Sequence, residues 1–211
     1  MSERQVYFRS TGPELEGLMD EVPGGKGVVV THPHPLYGGD MYNPVVTAVA
    51  RAYREAGYTT LRFNFRGVGR SGGAYGDGIG EQADVKTALA YLGELGKTAI
   101  DLAGYSFGAY VNARGLEGFD TAGRLVMVSP PVNFMDFSFL GHAPRIRLVI
   151  AASRDDIGTV DLIREMLPRW NPAARLEVIE GADHFYQGKA GEIRRIIREF
   201  LESAEDRTGT I

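Results

Sequence analysis

Apolar runs that read as strands alternate with amphipathic runs that read as helices along almost all of this 211-residue chain. A strand that is apolar on both sides needs cover above and below, and a helix after each strand supplies it. The alternation therefore restricts the chain to a largely parallel sheet with helices on both faces. Strand-like segments fall at residues 6–9, 15–20, 28–31, 59–65, 99–105, 124–128, 147–152 and 175–179, and helical ones at 44–56, 81–95, 107–116, 160–167 and 190–204. Only the turn signal Ser10-Thr11-Gly12-Pro13 separates the first two strands, which predicts an antiparallel hairpin at one sheet edge. Asn43-Pro44 gives the first helix a cap and a first-turn proline, and Gly57 stops it. The expected fold class is α/β, a doubly wound and mostly parallel sheet with an N-terminal antiparallel hairpin. With 44% hydrophobic residues the chain can bury one substantial core, so one domain is expected over residues 1–204, with a polar, fraying tail at 205–211.

A formal net charge of −4 with dispersed basic residues carries no electrostatic footprint for nucleic acid. Arg194, Arg195 and Arg198 cluster in the last helix beside Glu192 and Glu199 and read as a solvated helix face. The absence of cysteine excludes a disulfide scaffold and a thiol nucleophile. Residues 1–5 lack the charged-then-apolar pattern of a secretory signal, and no apolar run approaches the ~20 residues needed to cross a bilayer. The expectation is a soluble, cytoplasmic protein with no membrane or nucleic-acid partner. A monomer and a homodimer both remain open.

The motif with the most chemistry is Gly104-Tyr105-Ser106-Phe107-Gly108, set between an apolar strand and a helix. A strand turned this sharply into a helix strains the central backbone and projects the serine hydroxyl above the sheet. Side chains two places before and after would collide with neighbouring backbone, hence the two glycines. Serine is a weak nucleophile at neutral pH, so it needs a base, and the base needs an acid to hold its tautomer. His184 lies just beyond the last strand, where a loop at the carboxyl edge of the sheet can bring its ring over Ser106. His142 sits in a loop with no partner pattern and reads as structural.

The acid belongs at the carboxyl end of strand 147–152, which continues as Ser153-Arg154-Asp155-Asp156. Asp155 is the first choice, and a one-residue shift of the turn would substitute Asp156. Asp183 adjoins the histidine but points away along its own backbone, and Asp101 enters the serine strand at the wrong end. Asp77 and Asp84 precede the serine, contrary to the order Ser, Asp, His.

An attacked carbonyl needs fixed donors for its developing oxyanion. The Phe107 N–H is one, and the loop Thr31-His32-Pro33-His34-Pro35-Leu36-Tyr37-Gly38-Gly39-Asp40 must supply the other. The prolines have no N–H, which leaves His34, Leu36 and Tyr37; Leu36 is preferred as the first free amide after the paired prolines. Gly38-Gly39 would let the backbone approach a substrate closely. His32-x-His34 resembles a metal pair, but two ligands without a third make a poor zinc site, so the imidazoles are expected to hydrogen-bond neighbouring backbone. Neither metal nor cofactor is expected.

Residues 129–146 are too few for a helical cap, which predicts an open site. Tyr37, Phe134, Phe137 and Tyr186 would form an aromatic rim for substrate. Arg66 or Arg154 could clamp an anionic substrate, although Arg66 reads better as a brace for its loop. Gly67-x-Gly69-x-x-Gly72 follows a strand and fits a dinucleotide fingerprint, but no helix opens at Gly72 and the next strand does not end in the expected acid. A non-catalytic binding module with the same layout is the third alternative.

Four segments together carry a resemblance: His-Pro-His-Pro-Leu-Tyr-Gly-Gly at 32–39, Asn-Phe-Arg-Gly-Val-Gly-Arg-Ser at 64–71, Gly-Tyr-Ser-Phe-Gly-Ala at 104–109 and Gly-Ala-Asp-His-Phe-Tyr at 181–186. Over residues 25–200 the chain resembles the small, lidless bacterial α/β-hydrolases related to dienelactone hydrolases. That resemblance implies Ser106 as nucleophile, His184 as base, an acid at Asp155 and an esterase-like activity. Dienelactone hydrolases proper use a cysteine, which is missing here, and Ala152-Ser153 replaces the usual glycine before the acid. The expected function is a serine hydrolase of small esters acting through an acyl-enzyme; a thioesterase or amide hydrolase with the same triad is the alternative.

Overall fold

The computed structural model describes residues 3–206, with side chains to residue 203. Eight strands form one sheet: β1 (Arg4–Phe8), β2 (Leu15–Asp20), β3 (Lys26–Thr31), β4 (Thr59–Phe63), β5 (Ala99–Tyr105), β6 (Ala122–Val128), β7 (Ile146–Ala152) and β8 (Arg175–Ile179). Their spatial order is β1-β2-β4-β3-β5-β6-β7-β8. The hairpin β1–β2 is antiparallel, as its turn signal predicts, and β2 joins β4 antiparallel, while every later pairing is parallel. Parallel strands all end on the same edge, so the loops after β3, β4, β5, β6, β7 and β8 converge there.

Five helices cover the sheet: α1 (Pro44–Glu55), α2 (Gly80–Glu94), α3 (Phe107–Gly115), α4 (Val160–Trp170) and α5 (Ala190–Asp206). α1 and α5 pack on one face, where Val45, Val49 and Tyr53 meet Ile193, Ile197 and Leu201 over the valines and isoleucines of β3, β6 and β7. α2, α3 and α4 cover the other face through Val85, Leu89, Val111, Ile163 and Trp170. Each large apolar side chain buried this way contributes roughly 2 kcal/mol. On α5 the buried residues Ile193, Ile196, Ile197, Phe200 and Leu201 recur at helical spacing. Its arginines form ion pairs on the outer side, Arg195 with Glu199 and Arg198 with Glu202 one turn on, while Arg194 reaches Glu55 of α1.

Several element ends differ from the sequence expectation by one to three residues, among them those of β4, α4 and α5. β4 stops at Phe63: the Asn64 N–H still donates to the Glu16 carbonyl of β2, but the Phe65 N–H goes to the His32 ring, and the Asn64 side chain accepts the Met41 N–H at Oδ1 and donates from Nδ2 to Glu16. α4 continues past Pro168 to Trp170, whose indole is buried against Phe137 at 5.5 Å and anchors the extra turn. α5 extends through Glu205 and Asp206, the first two positions of the expected tail; residues 207–211 lie outside those described.

The ends of β3 and β4 are tied together by His32. Its Nε2 accepts the Phe65 N–H at 3.0 Å, and its Nδ1–H donates to the Pro33 carbonyl at 2.6 Å. This arrangement needs a neutral ring, and burial lowers the His32 pKa from 6.5 to about 4. Because the unfolded chain takes up the proton first, the stability this ring contributes is intact above pH 6.5 and is lost as pH falls toward 4, a loss of about 3 kcal/mol. Denaturant unfolding across that window should show this loss in the wild type and a smaller one in His32→Gln, whose side chain can accept the Phe65 N–H without titrating.

Candidate active site

Ser106 sits between β5 and α3 with φ 53° and ψ −117°, a conformation that L side chains rarely adopt. The two glycines that flank it make this geometry possible. A Cβ on Gly104 would lie 2.6 Å from the backbone of Gly108 and Ala109, and one on Gly108 would lie 2.6 Å from Thr31 Oγ1. The Ser106 N–H donates to the Val128 carbonyl of β6, which pins the turn from below.

Over the hydroxyl lies the His184 ring, with Nε2 2.9 Å from Ser106 Oγ. Nδ1 faces the Asp155 carboxylate at 2.8 and 3.0 Å. A carboxylate can only accept, so Nδ1 carries the proton and Nε2 presents its lone pair to the serine. All three side chains are buried. Burial alone would raise the Asp155 pKa, but the hydrogen bond and charge of His184, the Ser129 hydroxyl and the Gly158 N–H together hold it below the usual carboxylate range. The N–H groups of Ile157 and Gly158 both donate to Asp155 Oδ1. Asp156, the alternative acid, is exposed, and Asp183 accepts the Phe185 N–H.

A second layer holds the histidine loop. The Tyr105 hydroxyl donates to the His184 carbonyl at 2.7 Å, and the Tyr186 and Ser129 hydroxyls are hydrogen-bonded at 2.7 Å. Burial raises the pKa of both phenols and keeps them neutral. Like Ser106, Ser129 and Tyr186 have positive φ, 42° and 53°. Sequence reasoning did not single out Ser129 or Tyr105. The readable signal for Ser129 was a polar residue directly after an apolar parallel strand, the position where such sheets place functional groups.

The loop after β3 closes on itself. Pro35–Tyr37 forms a 3-10 turn capped by His34, whose Nδ1 accepts the Leu36 N–H at 3.2 Å. The Leu36 amide, expected to face the substrate, is therefore committed to the ring of its own turn. The N–H groups of Tyr37 and Gly39 go to the His34 carbonyl, and that of Gly38 to Pro35. Among the described residues, the N–H groups of His34 in this loop and of Phe107 at the start of α3 have no partner. Gly39 is required by the loop rather than by a ligand, since a Cβ there would lie 2.1 Å from the Pro33 carbonyl oxygen.

Of the expected aromatic rim, Tyr37 and Phe134 are exposed, at 87% and 74%. Phe137 and Tyr186 are core residues instead: Phe137 is enclosed by Tyr110, Phe139 and Trp170, and Tyr186 lies beneath the histidine loop. Exposed Leu36, Ile79 and Phe185 share the loop edge with Tyr37 and Phe134. Arg66 braces its loop through Asp84, as expected, while Arg154 is exposed. The glycine loop 67–72 wraps around the Glu16 carboxylate, which accepts the Arg70 N–H, and the next helix opens only at Gly80. Among the described residues no group of three metal-ligating side chains converges, and no helix is long and apolar enough to cross a membrane. His142 lines a surface cavity of about 340 Å³ at the far end of α3 from Ser106.

A hydroxyl, an imidazole and a carboxylate in hydrogen-bonded series, on a strained strand-to-helix turn beside two open amides, can perform nucleophilic attack on a carbonyl. Relatives share the fold. An uncharacterized protein of Rickettsia prowazekii, RP471, is 34% identical over 93% of this chain and 88% of its own. Among solved structures, an alpha-beta serine hydrolase homologue from Coxiella burnetii is 32% identical, with a TM-score of 0.87 over 95% of this chain and 98% of that one. Protein XC6422 of Xanthomonas campestris, described as an a/b serine hydrolase without lid, is 29% identical, with a TM-score of 0.86 over 95% and 94%. The fold is that of a lidless α/β hydrolase, and the narrower likeness to dienelactone hydrolases remains one of motifs. Residues 28–205 match the alpha/beta hydrolase family, and the chain belongs to it.

Proposed function

We propose that the protein is a serine hydrolase that cleaves a small carboxylic ester through an acyl-enzyme intermediate. The observation that carries this reading is the unbroken series Ser106 Oγ, His184 Nε2, His184 Nδ1, Asp155, with contacts of 2.9 and 2.8 Å. Ser106 Oγ attacks the ester carbonyl carbon while its proton passes to Nε2, and Asp155 stabilises the imidazolium that forms. The tetrahedral oxyanion is held by the Phe107 N–H and, in place of Leu36, by the His34 N–H, a loop amide with no hydrogen-bond partner among the described residues. Collapse expels the alcohol, which leaves with the proton from Nε2. Water then attacks the acyl carbon, His184 takes its proton, and a second collapse releases the acid and restores the Ser106 hydroxyl. None of these steps calls on a cofactor.

Leu36, Tyr37, Ile79, Phe134 and Phe185 form the exposed apolar side chains of the loop edge, and the fold has no cap above them. Such a rim suits an apolar or aromatic acyl group that lies partly outside the protein. Arg66, spent on Asp84, offers no clamp for an anionic substrate.

An activity-based fluorophosphonate should label the wild type and not Ser106→Ala. With p-nitrophenyl esters of graded acyl length, Ser106→Ala and His184→Ala should each lower kcat/KM by roughly a thousandfold or more. Asp155→Asn should lose roughly a hundred- to ten-thousandfold, because the amide can stabilise the wrong tautomer, while Asp156→Asn stays within about twofold. Unlabelled wild-type protein, or an Asp156→Asn loss exceeding that of Asp155→Asn, would defeat this reading. Thioester and anilide substrates of matched acyl group decide which bond is cleaved.

A further inference from the structure

The His34 side chain joins the two donors assigned to the oxyanion. Its Nδ1 accepts the Leu36 N–H, its Nε2 lies 3.2 Å from the Tyr75 hydroxyl, and its ring lies 4.8 Å from that of Phe107. A ring that accepts at Nδ1 carries its proton on Nε2, so it donates to Tyr75 Oη. This tautomer ties the 3-10 turn to the β4–α2 loop and fixes the direction of the His34 backbone N–H.

Resting on the hydrolase reading above, we propose that the neutral His34 imidazole is a positioning residue that locks the oxyanion loop, and that its protonation releases the lock. Added at Nδ1, a proton sets two N–H groups against each other and removes the acceptor of the Leu36 amide. The 3-10 turn then loses its N-terminal cap, and the His34 N–H loses its aim at the substrate. The site acquires a second acid-sensitive group, one that acts on transition-state stabilisation without touching the reacting atoms.

The groups that face His34 are Tyr75 and Asp77 from the β4–α2 loop, Glu81 from α2, Tyr37 on the same turn and His32 two residues earlier. Burial lowers the His34 pKa, and the negative charges of Glu81 and Asp77 oppose this without reversing it. Glu81 is itself occupied by the Gly76 and Gly78 N–H groups, which it holds at 2.8 Å. The neutral lock therefore persists to lower pH than an unperturbed histidine would allow.

His34→Asn tests the lock, since an asparagine at the cap can accept the Leu36 N–H but cannot titrate. Near pH 8 it should retain kcat within about fivefold, while His34→Ala should lose between about ten- and a hundredfold in kcat with KM within about twofold. The acid limb of log kcat/KM should be steeper than one proton in the wild type and fall to one proton in His34→Asn. In NMR spectra of the wild type, the Leu36 amide should shift with the titration of the His34 ring. Wild-type kcat in His34→Ala, identical acid limbs in wild type and His34→Asn, or a Leu36 amide blind to His34 would each overturn the proposal. The NMR measurement needs no substrate: a Leu36 amide that follows His34 while Ser106 stays unlabelled defeats the hydrolase and leaves the loop lock, whereas a labelled Ser106 with an insensitive Leu36 amide defeats the lock alone.

Discussion

α3 starts so close to the sheet that backbone meets backbone, and Ser106 can hold its strained conformation only because of that approach. Gly104 faces the first turn of α3, and Gly108 faces Thr31 at the end of β3, each with no room for a Cβ. Strain of this kind costs of order 1–3 kcal/mol and persists only where the surroundings leave no alternative. Here the surroundings are β6, whose Val128 carbonyl takes the Ser106 N–H, and a core face on which α3 is buried almost completely. Stability spent in the body of the fold thus presents one hydroxyl at the sheet edge, together with the uncapped N–H groups of a helix start.

The edge itself is organised by polar side chains that accept from or donate to backbone. His32 takes the Phe65 N–H, His34 the Leu36 N–H, Asp155 those of Ile157 and Gly158, and Tyr105 gives its proton to the His184 carbonyl. A loop without a cap domain must find its order inside itself, and these bonds supply it at each strand end. The paired histidines of the β3 loop, which a pattern reader would offer to a metal, are both used in this way.

Much of the architecture was legible because it depends on local regularities. Strand and helix alternation, the Asn43-Pro44 cap and the hairpin turn all describe segments that choose their conformation over a few residues, and the sheet carries them at nearly the expected positions. The meeting of Ser106, His184 and Asp155 was legible for a topological reason: parallel strands deliver the loops that follow them to one edge. Misreadings came where a side chain's fate depends on distant partners. Phe137 and Tyr186 look like their exposed neighbours Phe134 and Phe185 in a string of aromatics, yet Trp170 encloses one and Ser129 holds the other. The Leu36 amide was misread for a local reason, since the ring of His34, two residues earlier, claims it once the 3-10 turn forms.

What the sequence by itself determined was the order of elements, the spacing of glycines around the serine and the identity of the groups that could do chemistry, since all of these follow from nearest-neighbour sterics and hydrophobic period. Which aromatics face water, and that Asp155 rather than Asp156 meets the imidazole, were decided only by tertiary structure. Those outcomes turn on hydrogen bonds and contacts between residues tens of positions apart, and a shift of one residue in a loop, invisible in composition or pattern, exchanges a buried partner for an exposed one.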